Sequence, residues 1–237
     1  MDYIKEKIVI LSGGLASRLR PVTEKIPKSL LDISGAPFIN RQLKLLREKG
    51  FRNVVICAGY LGDMIQNYVK TGEDYGLNVE YSFDGDKLLG TGGALKKALP
   101  LLSETFFVLY GDSYLNIDYK IIRDNFNQLN FSGIMTVYKN KDKWDKSNVW
   151  FEGNKIVQYD KKYKNESMHY IDYGLGILKK SVFEKYFSDY THIDLEEVYK
   201  TLIKNNELAG FEVFDRFYEI GSREGLNETR EYFLKNK

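Results

Sequence analysis

The apolar pattern begins with a short run, Lys7-Ile8-Val9-Ile10-Leu11, that predicts a buried strand. A helical stripe follows, with apolar residues at Phe38, Ile39, Leu43, Leu45 and Leu46 and with Gly50 as its cap. Val54 to Cys57 reads as a second strand, Asp63 to Val69 as a short helix, and Asn78 to Phe83 as a third strand. Thr91 to Leu99 is helical and stops at Pro100, which cannot continue a helix. Phe106-Phe107-Val108-Leu109-Tyr110 is apolar throughout, as a strand covered on both faces requires. Strand and helix alternate on this spacing. The expected architecture is therefore α/β, a Rossmann-like, mixed but mostly parallel sheet with helices on both faces.

After Tyr110 the rhythm changes. Asp118 can cap a helix to about Leu129, and Ile134 to Tyr138 is a strand. Val149-Trp150-Phe151 and Lys155-Ile156-Val157 flank Glu152-Gly153-Asn154, a hairpin signal. Ile171 to Leu178 is another strand. Asp194 with Glu197 three residues on predicts a capping box for a helix to about Asn205. Leu208 to Phe214 and Phe217 to Ile220 are strand-like, and Ser222 to Tyr232 is helical. The run from Lys139 to Lys146, mixed with Asp142 and Asp145, reads as an exposed loop. No repeat, low-complexity tract or Pro/Ser-rich linker interrupts the chain, so a single domain over 1–237 is expected.

Composition narrows the class. Apolar residues make up 43% of 237, enough for a sizeable core and too many for a disordered chain. Thirty-five basic residues stand against thirty-three acidic ones, a balance that gives no dedicated surface for nucleic acid or for a polybasic membrane contact. Cys57 is the sole cysteine and lies in an apolar run, which points to a core thiol rather than a nucleophile. The first ten residues carry Asp2 and Glu6, and no stretch reaches the ~18 apolar residues of a spanning helix. A cytoplasmic location is the expectation. Oligomeric state is not readable.

The chemistry concentrates after the first strand. Leu11-Ser12-Gly13-Gly14-Leu15-Ala16-Ser17-Arg18 runs on to Pro27-Lys28. Glycines let backbone N–H groups approach an anion without a Cβ in the way. Arginine adds a planar fork that matches phosphate oxygens, and lysine a mobile point charge. The stretch is neither a P-loop, G-x-x-x-x-G-K-[ST], nor a G-x-G-x-x-G dinucleotide fingerprint. Tyr110-Gly111-Asp112 follows an apolar strand, and in an open parallel sheet ligands gather beyond such carboxyl ends. A carboxylate there can hold Mg²⁺ against the phosphates of a nucleoside triphosphate. It can equally be a Gly-Asp turn.

Gly13-Gly14-x-x-Ser17-Arg18-Leu19-x-Pro21-x-Thr23, closed by Pro27-Lys28, resembles the signature of the sugar-1-phosphate nucleotidyltransferases. Short heptose- and mannose-1-phosphate guanylyltransferase-like members are the nearest in form. Ala16 stands where that signature has glycine, and Ser17 where it has threonine. The resemblance implies a nucleotidyltransferase (GT-A-like) fold, its nucleotide-binding half over about 1–115. The sugar-phosphate half and C-terminal helix would then fall over about 116–237. It implies that Leu11, Ser12, Gly13, Gly14 and Ser17 line the nucleotide, and that Arg18 and Lys28 act on its phosphates. Leu89-Gly90-Thr91-Gly92-Gly93-Ala94 resembles the family's second glycine-rich segment, which implies that Gly90, Thr91, Gly92 and Gly93 meet base and ribose. Gly111 and Asp112 fall on the family's Gly-Asp, its magnesium ligand. Tyr218-Glu219-Ile220-Gly221-Ser222 falls on its Asp-x-Gly, so Glu219 stands where the second metal ligand is usually Asp. Lys162 matches a lysine on the sugar phosphate, although Lys161 occupies a usual Glu. Asp172, with Asn148, falls where sugar hydroxyls are read.

The activity so implied is transfer of a nucleoside monophosphate from a triphosphate to a sugar 1-phosphate, with Mg²⁺ and without nucleic acid or membrane. The Gly92-Gly93 form resembles heptose- or mannose-1-phosphate guanylyltransferases and also short uridylyltransferases that act on amino sugars, and cytidylyl relatives stay open; GTP is the first expectation, ahead of UTP and CTP. A nucleotide-sugar glycosyltransferase is a rival, but Asp112-Ser113-Tyr114 lacks the second Asp of Asp-x-Asp. A non-catalytic binding relative is the other rival, kept open by Ala16, Lys161 and Glu219.

Overall fold

A computed structural model describes residues 3–236. In chain order it contains β1 (Ile8–Ser12), α1 (Phe38–Glu48), β2 (Asn53–Ala58), α2 (Gly62–Val69), β3 (Asn78–Phe83), α3 (Gly90–Ala98), β4 (Thr105–Tyr110) and β5 (Ser113–Tyr114). There follow α4 (Tyr119–Gln128), β6 (Gly133–Lys139), β7 (Val149–Glu152), β8 (Lys155–Tyr159), β9 (Tyr170–Lys179), α5 (Ser181–Tyr186), α6 (Leu195–Lys204), β10 (Leu208–Val213), β11 (Tyr218–Glu219) and α7 (Arg223–Lys235). The chain divides into two compact units. The first takes the residues up to Leu88, Leu109–Asn116 and the residues from Phe217, and the second takes Leu89–Val108 and Ile117–Arg216. Within the first unit Ile220 and Phe233 pack with Ile33 and Phe38.

In the first unit β3, β2 and β1 are parallel, with Ile8 opposite Val54 and Asn53 opposite Asn78. Ile8, Val9, Ile10, Val54, Val55 and Ile56 are wholly buried, which is why these strands read as continuous apolar runs. Helix α1 buries Phe38, Ile39, Gln42, Leu43, Leu45 and Leu46, and each fully buried large aliphatic or aromatic side chain contributes about 1.5–3 kcal/mol. Gly50 ends it with φ +99°, a conformation that excludes most side chains.

The second unit supplies the mixed part of the expected mixed, mostly parallel sheet. There β10 and β6 run parallel, while β6–β9, β10–β8 and β7–β8 are antiparallel, and β7 returns to pair with β9 at Val149–Tyr170. The five strands β9-β6-β10-β8-β7 therefore close on themselves. The β7–β8 hairpin turns at Gly153-Asn154, whose two positive φ angles, +53° and +65°, match the twist of antiparallel strands, and the return of β7 to β9 closes the set.

Three stretches add local detail. The Lys139–Lys146 run is the exposed loop its charges predict, tied down by the buried Asn140: its Nδ2 donates to the Asp145 carbonyl and to Ser147 Oγ, and Ser147 N–H donates to Asp142 Oδ1. Asp194 does not cap α6 with its side chain. Thr91 Oγ1 takes that place, accepting Leu195 N–H at 2.8 Å. Helix α5 and five single-turn 3₁₀ segments carry too few apolar positions for a periodic signal.

Candidate active site

The first unit brings four predicted charged residues together. Gly111 makes this possible: its N–H donates to the Leu11 carbonyl at 3.0 Å, and a Cβ there would overlap that carbonyl and Ser12 Oγ. Gln42, buried on α1, donates through Nε2 to the carbonyls of Tyr110 and Ser113 and so fixes the turn from the other side. Asp112 is thereby held beside the end of β1. Its own carbonyl accepts Ile220 N–H at 3.0 Å, and β5 pairs antiparallel with β11, with Glu219 opposite Ser113.

Lys28 Nζ lies 2.6 Å from Asp112 Oδ2, with the two side chains 22% and 24% exposed. Burial by itself pushes the Asp112 carboxyl up, but the Lys28 charge and hydrogen bond, with Arg18 nearby, bring it below its ordinary range. Glu219 behaves in the opposite way. Burial raises it most, the hydrogen bonds from Ser222 and Gly221 oppose, and the Asp112 charge adds to the rise. The groups converge on the Cα of Gly221, where a Cβ would lie 2.7 Å from Glu219 Oε2, 2.9 Å from Asp112 Oδ2 and 3.1 Å from Arg18 Nη2.

This donor set suits a hard divalent cation. Two carboxylates share one small space, and their oxygens are the ligand type that Mg²⁺ takes. Next to them, Ser12 Oγ is buried with no hydrogen-bond partner among the described residues.

The turn after β1 is open. A Cβ on Gly14 would meet nothing within 4 Å. The N–H groups of Gly14 and Leu15 donate to no acceptor among the described residues. Ala16 sits in the left-handed region at φ 47°, ψ 43°, its carbonyl accepting from Thr23 Oγ1, so the alanine is strained where the signature has glycine. Ser17 and Arg18 open a single 3₁₀ turn and are exposed.

In the second unit Gly90, Thr91, Gly92 and Gly93 form the first turn of α3. Gly92 and Gly93 N–H both donate to the Ile193 carbonyl, at 2.8 and 2.9 Å. A Cβ on Gly93 would lie 2.8 Å from the Thr191 carbonyl. Asn148 and Asp172 do come together, Asn148 Oδ1 accepting Asp172 N–H at 2.9 Å. Asp172 Oδ2 accepts Tyr159 OH at 2.9 Å and Oδ1 accepts Gly174 N–H at 3.0 Å. Lys162 is exposed on a turn built by Asp160, whose Oδ1 accepts Lys162 N–H and whose Oδ2 accepts Lys200 Nζ. Cys57 is buried and its thiol pushed well up, which leaves no thiolate.

Sequence reasoning missed Gln42, Tyr159, Ser222 and Thr229. Only Ser222 carried a signal, a serine just before a helical run.

The family model for nucleotidyl transferases matches residues 7–235. The D-glycero-alpha-D-manno-heptose 1-phosphate guanylyltransferase of Campylobacter jejuni is 28% identical over 231 residues, 96% of this chain and 98% of that protein. A UTP–glucose-1-phosphate uridylyltransferase of Synechocystis is 35% identical over 123 residues; that match covers 47% of this chain and about a third (32%) of the relative. The crystal structure of HddC from Yersinia pseudotuberculosis complexed with GMP-PN superposes with a TM-score of 0.79 at 26% identity, over 96% of this chain and 99% of that one. No helix among the described residues is long and apolar enough to cross a membrane.

Proposed function

The chain belongs to the nucleotidyl transferase family, and we propose that it transfers a nucleoside monophosphate from a nucleoside triphosphate to a sugar 1-phosphate. The observation that carries this reading is the convergence of Arg18, Asp112 and Glu219 on Gly221, with Lys28 on Asp112. A phosphate oxygen of the sugar attacks the α-phosphorus in line, a new P–O bond forms, the α–β bond breaks, and pyrophosphate leaves. No protein nucleophile is required, because such transfers depend on positioning and charge stabilisation. Arg18 stabilises the leaving pyrophosphate, and Lys28 exchanges Asp112 for the phosphates at the reacting centre. The open N–H groups after β1 hold the triphosphate, with Leu11, Ser12, Gly13, Gly14 and Ser17 along it.

Family members generally use a divalent metal, and Asp112 and Glu219 would hold it here, as Mg²⁺, to supply charge neutralisation for the reacting phosphates. By the same resemblance Gly90, Thr91, Gly92, Gly93 and Gly111 serve the nucleotide, and Asn148, Lys162 and Asp172 the acceptor. Among triphosphates we take GTP ahead of UTP and CTP, a reading supported by likeness to the guanylyltransferase of Campylobacter and to HddC complexed with GMP-PN. The product is a nucleotide sugar for cell-surface polysaccharide, made in the cytoplasm.

Pyrophosphate release tests this, crossing GTP, UTP, CTP, dTTP and ATP with a panel of sugar 1-phosphates. Turnover with one pair, lost in Asp112→Ala, supports it. No turnover, together with no thermal shift by any triphosphate, overturns it, whereas a thermal shift without turnover from any pair favours the non-catalytic binding relative.

A further inference from the structure

We infer that Ser222, the N-cap of α7, and Gly225, in its first turn, are positioning residues that seat the Glu219 carboxylate; the inference rests on the function proposed above. The Glu219 side chain is turned onto the start of α7. Ser222 Oγ donates to Oε1 at 2.6 Å, Gly221 N–H donates to Oε2, and Thr229 Oγ1 donates to the Glu219 carbonyl at 2.8 Å. Ser222 Oγ in turn accepts Gly225 N–H at 2.9 Å. One hydroxyl thus caps the helix and holds the carboxylate, at the helix end where negative charge is favoured.

Gly225 supplies the room. A Cβ there would overlap Glu219 Oε1 outright and lie 2.5 Å from Cδ. Its backbone gives no other reason for glycine. It is the third residue of α7, is absent from the left-handed residues, and occupies a helical position where glycine costs about 1 kcal/mol against alanine. The Glu219 carboxylate lies closest over it, with the Glu219 carbonyl oxygen also within 2.8 Å of a Cβ there. Oε1 is anchored over Gly225, and Oε2 faces the space beside Gly221 that Asp112 Oδ2 also faces. Glu219 and Gly225 are therefore a matched pair. The extra methylene of Glu is absorbed by folding the side chain back over a residue that has no Cβ. An aspartate, one methylene shorter, would leave the space over Gly225 empty.

The pairing is tested by making Gly225→Ala in two backgrounds, native and Glu219→Asp. In the native background the melting temperature of the free protein is expected to fall by roughly 5 °C or more, as overpacking does. In the Glu219→Asp background the fall is expected to be less than half as large. It does not vanish, because the added Cβ still lies 2.8 Å from the Glu219 carbonyl oxygen. A second readout is the Mg²⁺ concentration that half-saturates GTP binding, followed by calorimetry. It is expected to rise about tenfold in Gly225→Ala and to return to within about threefold in the double variant, tenfold being about 1.4 kcal/mol. Ser222→Ala raises it and Ser222→Thr does not. Equal melting losses in both backgrounds, or an unchanged Mg²⁺ requirement in Gly225→Ala, overturn the inference. Melting needs no nucleotide. If the native chain binds no triphosphate, the functional reading falls while the melting comparison still decides the pairing.

Discussion

Two glycine-rich turns, each at the edge of a secondary-structure element, look alike in the sequence and differ in the fold. In Gly13-Gly14 the second glycine has open space around it and its N–H is uncommitted. In Gly90–Gly93 the glycines exist because the chain at Thr191–Asp194 lies against them, and the N–H groups of Gly92 and Gly93 are already bonded to Ile193. A glycine-rich turn is an anion cradle only when its donors remain free; otherwise the small residues serve close packing. The first turn therefore carries the charge chemistry, and the second holds α3 against the start of α6.

The largest effect that separates the two is on turnover. Asp112→Ala and Arg18→Ala are each expected to lower kcat by about 10²–10³, as removal of a preorganised charge does, in a pyrophosphate-release assay. Next comes stability. Gly93→Ala is expected to destabilise by roughly 1–3 kcal/mol in urea unfolding, because a Cβ would press on the Thr191 carbonyl and Leu89 Cβ. Gly14→Ala is expected to leave stability within about 0.5 kcal/mol and yet to raise the KM for triphosphate. Equal melting losses at both positions would erase the distinction.

Smaller again is the strain at Ala16. Its left-handed backbone is relieved in Ala16→Gly, which is expected to raise stability by less than about 1 kcal/mol, since added chain entropy offsets part of the gain.

The smallest expected effect is on acid stability, where a carboxylate in each unit acts in the opposite direction. Glu207 in the second unit is drawn down to about 2 by Lys185, then by Ser132, with Tyr186 adding to them against burial. Its folded value lies below its ordinary one. The stability it contributes is thus present above about pH 4.5 and is lost as pH falls toward 2. Glu219 is raised, so its ionisation opposes folding, and that cost disappears as the pH drops through its elevated value. Glu207→Gln is expected to flatten the loss of unfolding free energy between pH 4.5 and 2, by under about 1 kcal/mol in urea unfolding followed across that range.

Much of the first unit was legible because its chemistry is local. The run Lys7–Leu11, the glycines after it, and Gly111-Asp112 at a strand end each announce themselves within a few residues. The second unit was less legible. Its closure depends on β7 returning to β9 and on a parallel pairing between β6 and β10, contacts that no short-range period encodes. The same holds for side chains that act at a distance along the chain. Gln42 reaches Tyr110 and Ser113, Thr91 replaces Asp194 as the donor's partner at Leu195, and Tyr159 meets Asp172. Glu219 was visible as a departure from Asp, but its accommodation over Gly225 is a matter of three-dimensional space.

The most direct test of the contrast is hydrogen exchange at single-residue resolution on the free protein and with GTP and Mg²⁺. The amides of Gly14 and Leu15 are expected to exchange fast in the free protein and to gain protection with the triphosphate. Those of Gly92 and Gly93 are expected to be slow in both. Protection that leaves Gly14 and Leu15 unchanged while triphosphate binds would contradict the assignment of the first turn as the phosphate cradle.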